Sequence, residues 1–304
     1  KLSSKFGKGV GDILWHVELG EGHAGASIYH GKVYLLNYDE EQRADMLHCF
    51  DLKSGEELWR RWYKVSIKRN HGMSRTVPAL SEKYILTMGP RCHVMCLDRE
   101  TGDFRWGIDI EKEFESETPL WYTGQCPLID NDVAILAPGG KALMIAVDCQ
   151  TGEKRWEVPN PDNWKMSHSS VLPYTYKGTK MYVYCAIGGV VAVSEQGEVL
   201  WKAPQWNTNV IAPSAVCMPD GKIFLTAGYG AGSMVLQLSE SNGVYSTKVI
   251  QEYKPKDGLA CEQQTPIYWE GHLFGIMPKD GGANRNQLVC VNPADCTQIK
   301  WSSD

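Results

Sequence analysis

Nowhere does this 304-residue chain run to 18 consecutive apolar residues, so no segment is long and apolar enough to cross a bilayer as a helix. It has no adjacent cysteine pair, no CxxC and no CxxCH, which argues against attached c-type haem and a four-cysteine zinc site. It has no excess of positive charge either: 31 Lys and Arg stand against 36 Asp and Glu, mixed along the chain. Without a basic stripe, nucleic acid is not expected as a partner. No Gly-x-Ser-x-Gly elbow occurs, so nucleophilic acyl chemistry lacks its usual strand–turn–helix setting. The chain opens at Lys1 without an apolar segment of the signal type, as expected of a processed or trimmed chain.

What is present is an ordinary core-forming composition, 43% hydrophobic and 22% charged, which argues for a packed protein and against disorder. Ten cysteines are scattered through it. Cys49, Cys96, Cys185 and Cys290 lie in apolar runs, where a thiol reads as a small buried hydrophobe. The close spacings of Cys92 with Cys96, and of Cys290 with Cys296 across a turn, are the two that admit a disulfide.

The dominant signal is repetition. Asp51, Ser54, Gly55 and Trp59 recur at the same spacing as Asp98, Thr101, Gly102 and Trp106, and again as Asp148, Thr151, Gly152 and Trp156. A copy one residue shorter ends at Trp201 and one a residue longer ends at Trp301. The first four tryptophans are 47, 50 and 45 residues apart, the period of a propeller blade. In each copy an apolar strand ends in Asp, a Ser/Thr-Gly step turns the chain, and a second strand carries Trp. Asp binds its own following backbone and Gly supplies the positive φ of a tight turn, so each copy is a hairpin. A second strand pair around a polar turn precedes each hairpin, giving four strands per period.

Such a sheet cannot bury both faces alone and must stack on its neighbours; radial stacking leaves only short, protected edges. The expected fold is all-β: a single β-propeller domain over residues 1–304, with four-stranded antiparallel blades at about 24–63, 73–110, 124–158, 168–203, 212–252 and 262–303. The fifth blade is degenerate and ends without a tryptophan. Residues 13–19, containing Trp15, read as an orphan outer strand, so either six blades close with an additional strand or the chain is an arc of a larger ring. Trp59, Trp106, Trp156, Trp201 and Trp301 are expected to be structural, docking between adjacent blades.

The Asp-x-x-[Ser/Thr]-Gly-x-x-x-Trp pattern resembles the repeat of pyrroloquinoline-quinone (PQQ) dehydrogenases and of the periplasmic outer-membrane assembly lipoprotein that shares their propeller. The resemblance covers essentially the whole chain. It implies a ring of seven or eight blades and a periplasmic or extracellular location. In quinone-binding members it also implies PQQ with calcium, a stacked disulfide between adjacent cysteines, and an aspartate base. The adjacent cysteines are missing here, and only Glu262 and Glu21 offer carboxylates near the expected funnel mouth. The fold transfers and the cofactor set does not; no metal site is assigned.

In a propeller the segments entering each blade, and those between its second and third strands, surround the axis. Here they are rich in large polar groups: His71, Arg75, Trp121, Gln125, Lys141, His168, Tyr229 and Gln264 are the candidates for one axial pocket. Cations are in local excess, Arg75 offers a bidentate fork and Trp121 a flat stacking surface, which suits a small polar or anionic ligand. The plainer alternative is that these groups bind water and backbone in a wet channel. His71 and His168 lack a second ligand at metal spacing and read as hydrogen-bonded structural groups. Three functions therefore compete: an extracytoplasmic binding or scaffold module taking such a ligand or a partner segment, a PQQ-dependent oxidoreductase acting on alcohols or sugars, and an assembly factor binding extended peptides.

Overall fold

The computed structural model describes residues 13–68 and 74–303. Six antiparallel sheets follow one another, each made of four consecutive strands in meander order. Sheet one holds Ser27–Tyr29, Lys32–Asp39, Ala44–Asp51 and Glu57–Lys64, and sheet two Ala79–Leu80, Tyr84–Met88, His93–Asp98 and Phe104–Asp109. Sheet three holds Leu128–Asp130, Val133–Leu136, Ala142–Asp148 and Lys154–Pro159, and sheet four Leu172–Tyr176, Thr179–Ala186, Gly189–Ser194 and Val199–Ala203. Sheet five holds Val216–Cys217, Lys222–Ala227, Gly232–Ser241 and Val244–Tyr253, and sheet six Ile267–Trp269, His272–Ile276, Leu288–Asn292 and Asp295–Ser302. Among the described residues the only helices are the five-residue Ile110–Phe114 and the short turn Gly282–Asn284. The all-β fold of four-stranded blades expected from the repeat is the fold observed.

Burial explains the strand sequences. Middle strands such as Gly189–Ser194 are buried along their whole length and read as continuous apolar runs, because a neighbouring sheet covers each face. The outer strand Glu57–Lys64 alternates between half-buried and exposed residues, as a strand with one solvated face must. Between them, Asp51 Oδ1 accepts the backbone N–H groups of Lys53 and Ser54, at 2.9 and 2.8 Å, and Gly55 takes φ +73°. Asp98 and Asp148 make the same turn with Gly102 and Gly152.

Five apolar clusters each join two successive sheets, from Leu36, Leu47 and Ile85 between sheets one and two to Val235, Leu273 and Val289 between sheets five and six. Each outer strand has a β-bulge at the same place, pairing Trp59, Trp106, Trp156, Trp201 and Trp301 with Cys49, Cys96, Ala146, Ala192 and Cys290. From there Trp59, Trp106 and Trp156 lie over the turn glycine of the next sheet. A Cβ at Gly102, Gly152 or Gly197 would come within 2.9 Å of the ring. Their indole N–H groups donate to the carbonyls of Glu100, Cys149 and Glu195. Trp201 is buried in the cluster between sheets four and five, but its N–H finds no acceptor. In sheet five the residue at this register is Gln251, opposite Val235, and its side-chain amide donates to Ala294 O of sheet six. The blade without a tryptophan thus keeps the polar half of the contact.

Two expectations need correction. Residues 13–19 form no strand; instead Trp15 lies over Gly55, and its N–H donates to Leu52 O at 2.9 Å, as Trp59, Trp106 and Trp156 do on their own neighbours. A single extended segment without a strand partner cannot complete a ladder, so it binds through its aromatic ring. All ten cysteines are free. Cys92 Sγ faces Thr123 and Met166, and Cys96 Sγ faces Cys149 O, so neither Cys92 with Cys96 nor Cys290 with Cys296 forms a disulfide.

Candidate ligand-binding site

The segments that enter the six sheets meet around one cavity of about 1150 Å³. Residues 20–23 reach it ahead of sheet one, Arg75 ahead of sheet two, and Trp121 and Gly124 ahead of sheet three. His168, then Val210 and Ala212, then Glu262 and Gln263 follow from the next three entries, and Tyr229 comes from the turn inside sheet five. A meander places every entry at the same end of its sheet, which is why residues so far apart in sequence converge.

Arg75, Trp121, His168 and Tyr229 are therefore brought together. Trp121 stacks near-parallel on Tyr229, with centroids 5.8 Å apart at 21°, and its other neighbour is His168 at 6.5 Å and 22°. The turn presenting Trp121 is strained: Trp121 and Tyr122 have φ +65° and +72°, the left-handed region that costs a residue with a Cβ. It is tied down by Tyr122 N–H on Pro119 O, by Tyr122 Oη on the Lys68 backbone, and by Thr123 N–H on Pro90 O. Tyr229 also sits at positive φ, +57°, and is 61% exposed. Both aromatic faces are thus held at the cavity by backbone conformations that the surrounding contacts must enforce.

Burial lowers the pKa of His168, and the charge of Arg75 lowers it further; the backbone carbonyls of Leu120 and Tyr122 act the other way. The imidazole is neutral at pH 7, and its Nδ1 is buried without a hydrogen-bond partner. Partial burial also lowers the pKa of Arg75, with Tyr229 opposing, yet a guanidinium remains protonated. Glu262 lies along the backbone of Gly228, where a Cβ would come within 2.2 Å of it, and Glu21 lines the same cavity. The wall therefore combines the Arg75 cation, the imidazoles of His168 and His23, two aromatic faces and two carboxylates.

The other sequence candidates are placed elsewhere. Gln125 is fully buried; its amide donates to Ala137 O and accepts from Ala137 N–H, so it closes off the end of a strand of sheet three. Lys141 is exposed and pairs with Glu115. Gln264 donates to Ile276 O within sheet six, and its neighbour Gln263 lines the cavity instead. His71 lies outside the described residues. The sequence reading missed His23 and Gln263, together with Gly20, Gly22, Gly124, Val210 and Ala212. Position in an entry segment was the available signal for all of them, but the glycines and the two apolar residues do not stand out by chemistry.

The donors present do not make the quinone site of the dehydrogenases. No adjacent cysteines exist to stack on a planar cofactor, and no group of three or more His, Cys, Asp or Glu residues among the described residues is placed to hold a metal.

Six four-stranded antiparallel sheets whose entry loops surround a common cavity are the blades of a β-propeller. A family model described as outer membrane protein assembly factor BamB matches residues 43–287, and the chain belongs to that family. Among solved structures it is similar to BamB from Moraxella catarrhalis, at 17% identity and TM-score 0.57, covering 87% of this chain and 70% of that one. It is also similar to a europium-containing methanol dehydrogenase, at 12% identity and TM-score 0.61, covering 92% and 68%. A third is the quinohemoprotein alcohol dehydrogenase from Comamonas testosteroni, at 14% identity and TM-score 0.55, covering 93% of this chain and 59% of that one. No curated protein sequence matches.

Proposed function

We propose that the chain is a binding propeller whose cavity takes an anionic group with a flat face beside it, on a small molecule or on a segment of a partner protein. The convergence of Arg75, Trp121, His168 and Tyr229 on one cavity carries this reading. Arg75 pairs the anion, the Trp121 and Tyr229 faces stack on the adjoining plane, and His168 offers its unpartnered Nδ1 as a hydrogen-bonding group. Glu21 and Glu262 line the same cavity and disfavour a ligand carrying more negative charge than Arg75 can pair. The protein acts outside the cytoplasm, as its resemblance to periplasmic propellers suggests. Membership of an assembly-factor family favours a partner segment over a metabolite as the bearer of the anion. The missing cysteine pair, and the lack of a metal-ligand cluster among the described residues, weigh against quinone-dependent oxidation.

The experiment is a titration with a panel of carboxylates, phosphates and acidic aromatic peptides, following tryptophan fluorescence. A saturable response is expected, and Arg75→Ala combined with Tyr229→Ala should remove it with little change in Tm, because Tyr229 is largely exposed. A large fall in Tm for this pair would make the cluster a structural one.

A further inference from the structure

Two of the ten thiols meet at one point of the interface between sheets two and three. Cys96 lies on the third strand of sheet two, opposite Trp106, and Cys149 is the first residue after the third strand of sheet three. Both are fully buried in the apolar cluster that joins the two sheets. Cys149 O accepts the Trp106 N–H at 2.9 Å and lies 3.5 Å from Cys96 Sγ, and the two thiols are close enough to share a hydrogen bond. That thiol–thiol hydrogen bond, and then burial, raise the pKa of Cys96.

The repeat brings these positions together, and only this interface fills both with cysteine. On either side the same two places, opposite the tryptophan and after the third strand of the next sheet, hold Cys49 with Arg99 and Ala146 with Glu195. Other thiols have other neighbours. Cys92 Sγ has Thr123 Oγ1 at 3.0 Å and Met166 Sδ at 3.8 Å, and Cys126 Sγ accepts the Val77 N–H at 3.3 Å.

We propose that Cys96 and Cys149 are the two halves of a disulfide that staples sheet two to sheet three when the chain folds in an oxidising compartment outside the cytoplasm. The oxidant is itself a disulfide and takes up the two electrons. One cysteine thiolate attacks its sulfur–sulfur bond and releases a first thiol; the other attacks the resulting mixed disulfide and releases a second, and the two protons end on the released thiols. Only a thiolate attacks, and both sulfurs are shut away from solvent in the folded protein, so the exchange precedes docking of the two sheets. Cys96 and Cys149 are 53 residues apart, a separation at which a cross-link removes much of the freedom of the unfolded chain. The bond fixes covalently the contact that Trp106 makes by packing.

The test starts from reduced, denatured chain refolded with reduced and oxidised glutathione. Free thiols are then alkylated, and a digest without reductant is read by mass spectrometry. The expected product carries one linked pair of peptides, containing Cys96 and Cys149, and melts several degrees above the same protein reduced with a phosphine. Cys96→Ala and Cys149→Ala should each remove both the linked peptides and the difference in Tm between oxidised and reduced protein, whatever each costs the reduced fold. Alkylation of Cys96 and Cys149 in the refolded product overturns the inference. So does a link joining other cysteines in their place, or a linked product that melts no higher than the reduced one. Should refolding fail, the unaltered chain exported to a bacterial periplasm is compared with the chain made in the cytoplasm: linkage in the exported protein alone is expected, and free Cys96 and Cys149 in it contradict the proposal.

Discussion

The two ends of the row of sheets are unlike. Sheet one is closed by Trp15, which lies over Gly55 and donates to Leu52, whereas sheet six ends in Trp301, 46% exposed and tilted against Phe274 of its own sheet. The same residue at the same bulge is a lock where a turn lies opposite it and a surface residue where none does. Tryptophan in this repeat therefore stabilises through its neighbour, and identical motifs carry unequal free energies.

The largest expected effect follows at an internal lock. Trp106→Ala removes a ring packed over Gly152 together with its hydrogen bond to Cys149 O, and should cost about 3–5 kcal/mol in denaturant unfolding. The inner contact of sheets one and two gives a pH-dependent counterpart. Asp45 is wholly buried there, accepts hydrogen bonds from Ser74 and Tyr63, and has its pKa pushed up to about 6 by desolvation. A carboxyl that binds its proton more tightly folded than unfolded destabilises the fold as it ionises. Stability should therefore fall as pH rises from about 4 to about 6. Asp45→Asn, which still accepts from Ser74, should flatten this slope and be up to about 3 kcal/mol more stable at pH 7, with little difference at pH 4.

Smaller effects sharpen the comparison. Gln251→Ala should cost about 1 kcal/mol, the net worth of one hydrogen bond, because it keeps sheet five on sheet six without an aromatic ring. Trp301→Ser should cost less than Trp106→Ala, since Trp301 is 46% exposed and makes no hydrogen bond from its indole N–H to a neighbouring turn among the described residues. A cost at Trp301 equal to that at Trp106 would mean that the two ends are alike after all.

Much of this architecture was legible because its determinants are local. Asp51, Gly55 and Trp59 act within one hairpin, and their spacing survives unchanged in the copies ending at Trp106 and Trp156. Gln251 was not legible: it shares the register of the tryptophans through the bulge opposite Val235, but a different side chain at that position leaves no pattern to match. Residues 13–19 carried the pattern of an outer strand and yet form none, because strand character needs a partner that local sequence does not contain. At the cavity, entry segments could be recognised, but not which side chain of each points inward. Gln263 lines the wall where Gln264 was expected, because Gln264 turns to the carbonyl of Ile276 instead. Gln125 was misjudged for another reason: a buried amide near a strand end is taken up by backbone, and composition cannot distinguish that use from binding.

The most direct measurement is a titration of the 304-residue chain with pyrroloquinoline quinone, with and without calcium, following tryptophan fluorescence and the absorption of the quinone. A binding propeller without the cofactor's donor set predicts no calcium-dependent saturation and no quinone-supported reduction of a dye by alcohols or sugars. Saturable, calcium-dependent quenching accompanied by dye reduction would contradict that account and make the cavity the active site of an oxidoreductase.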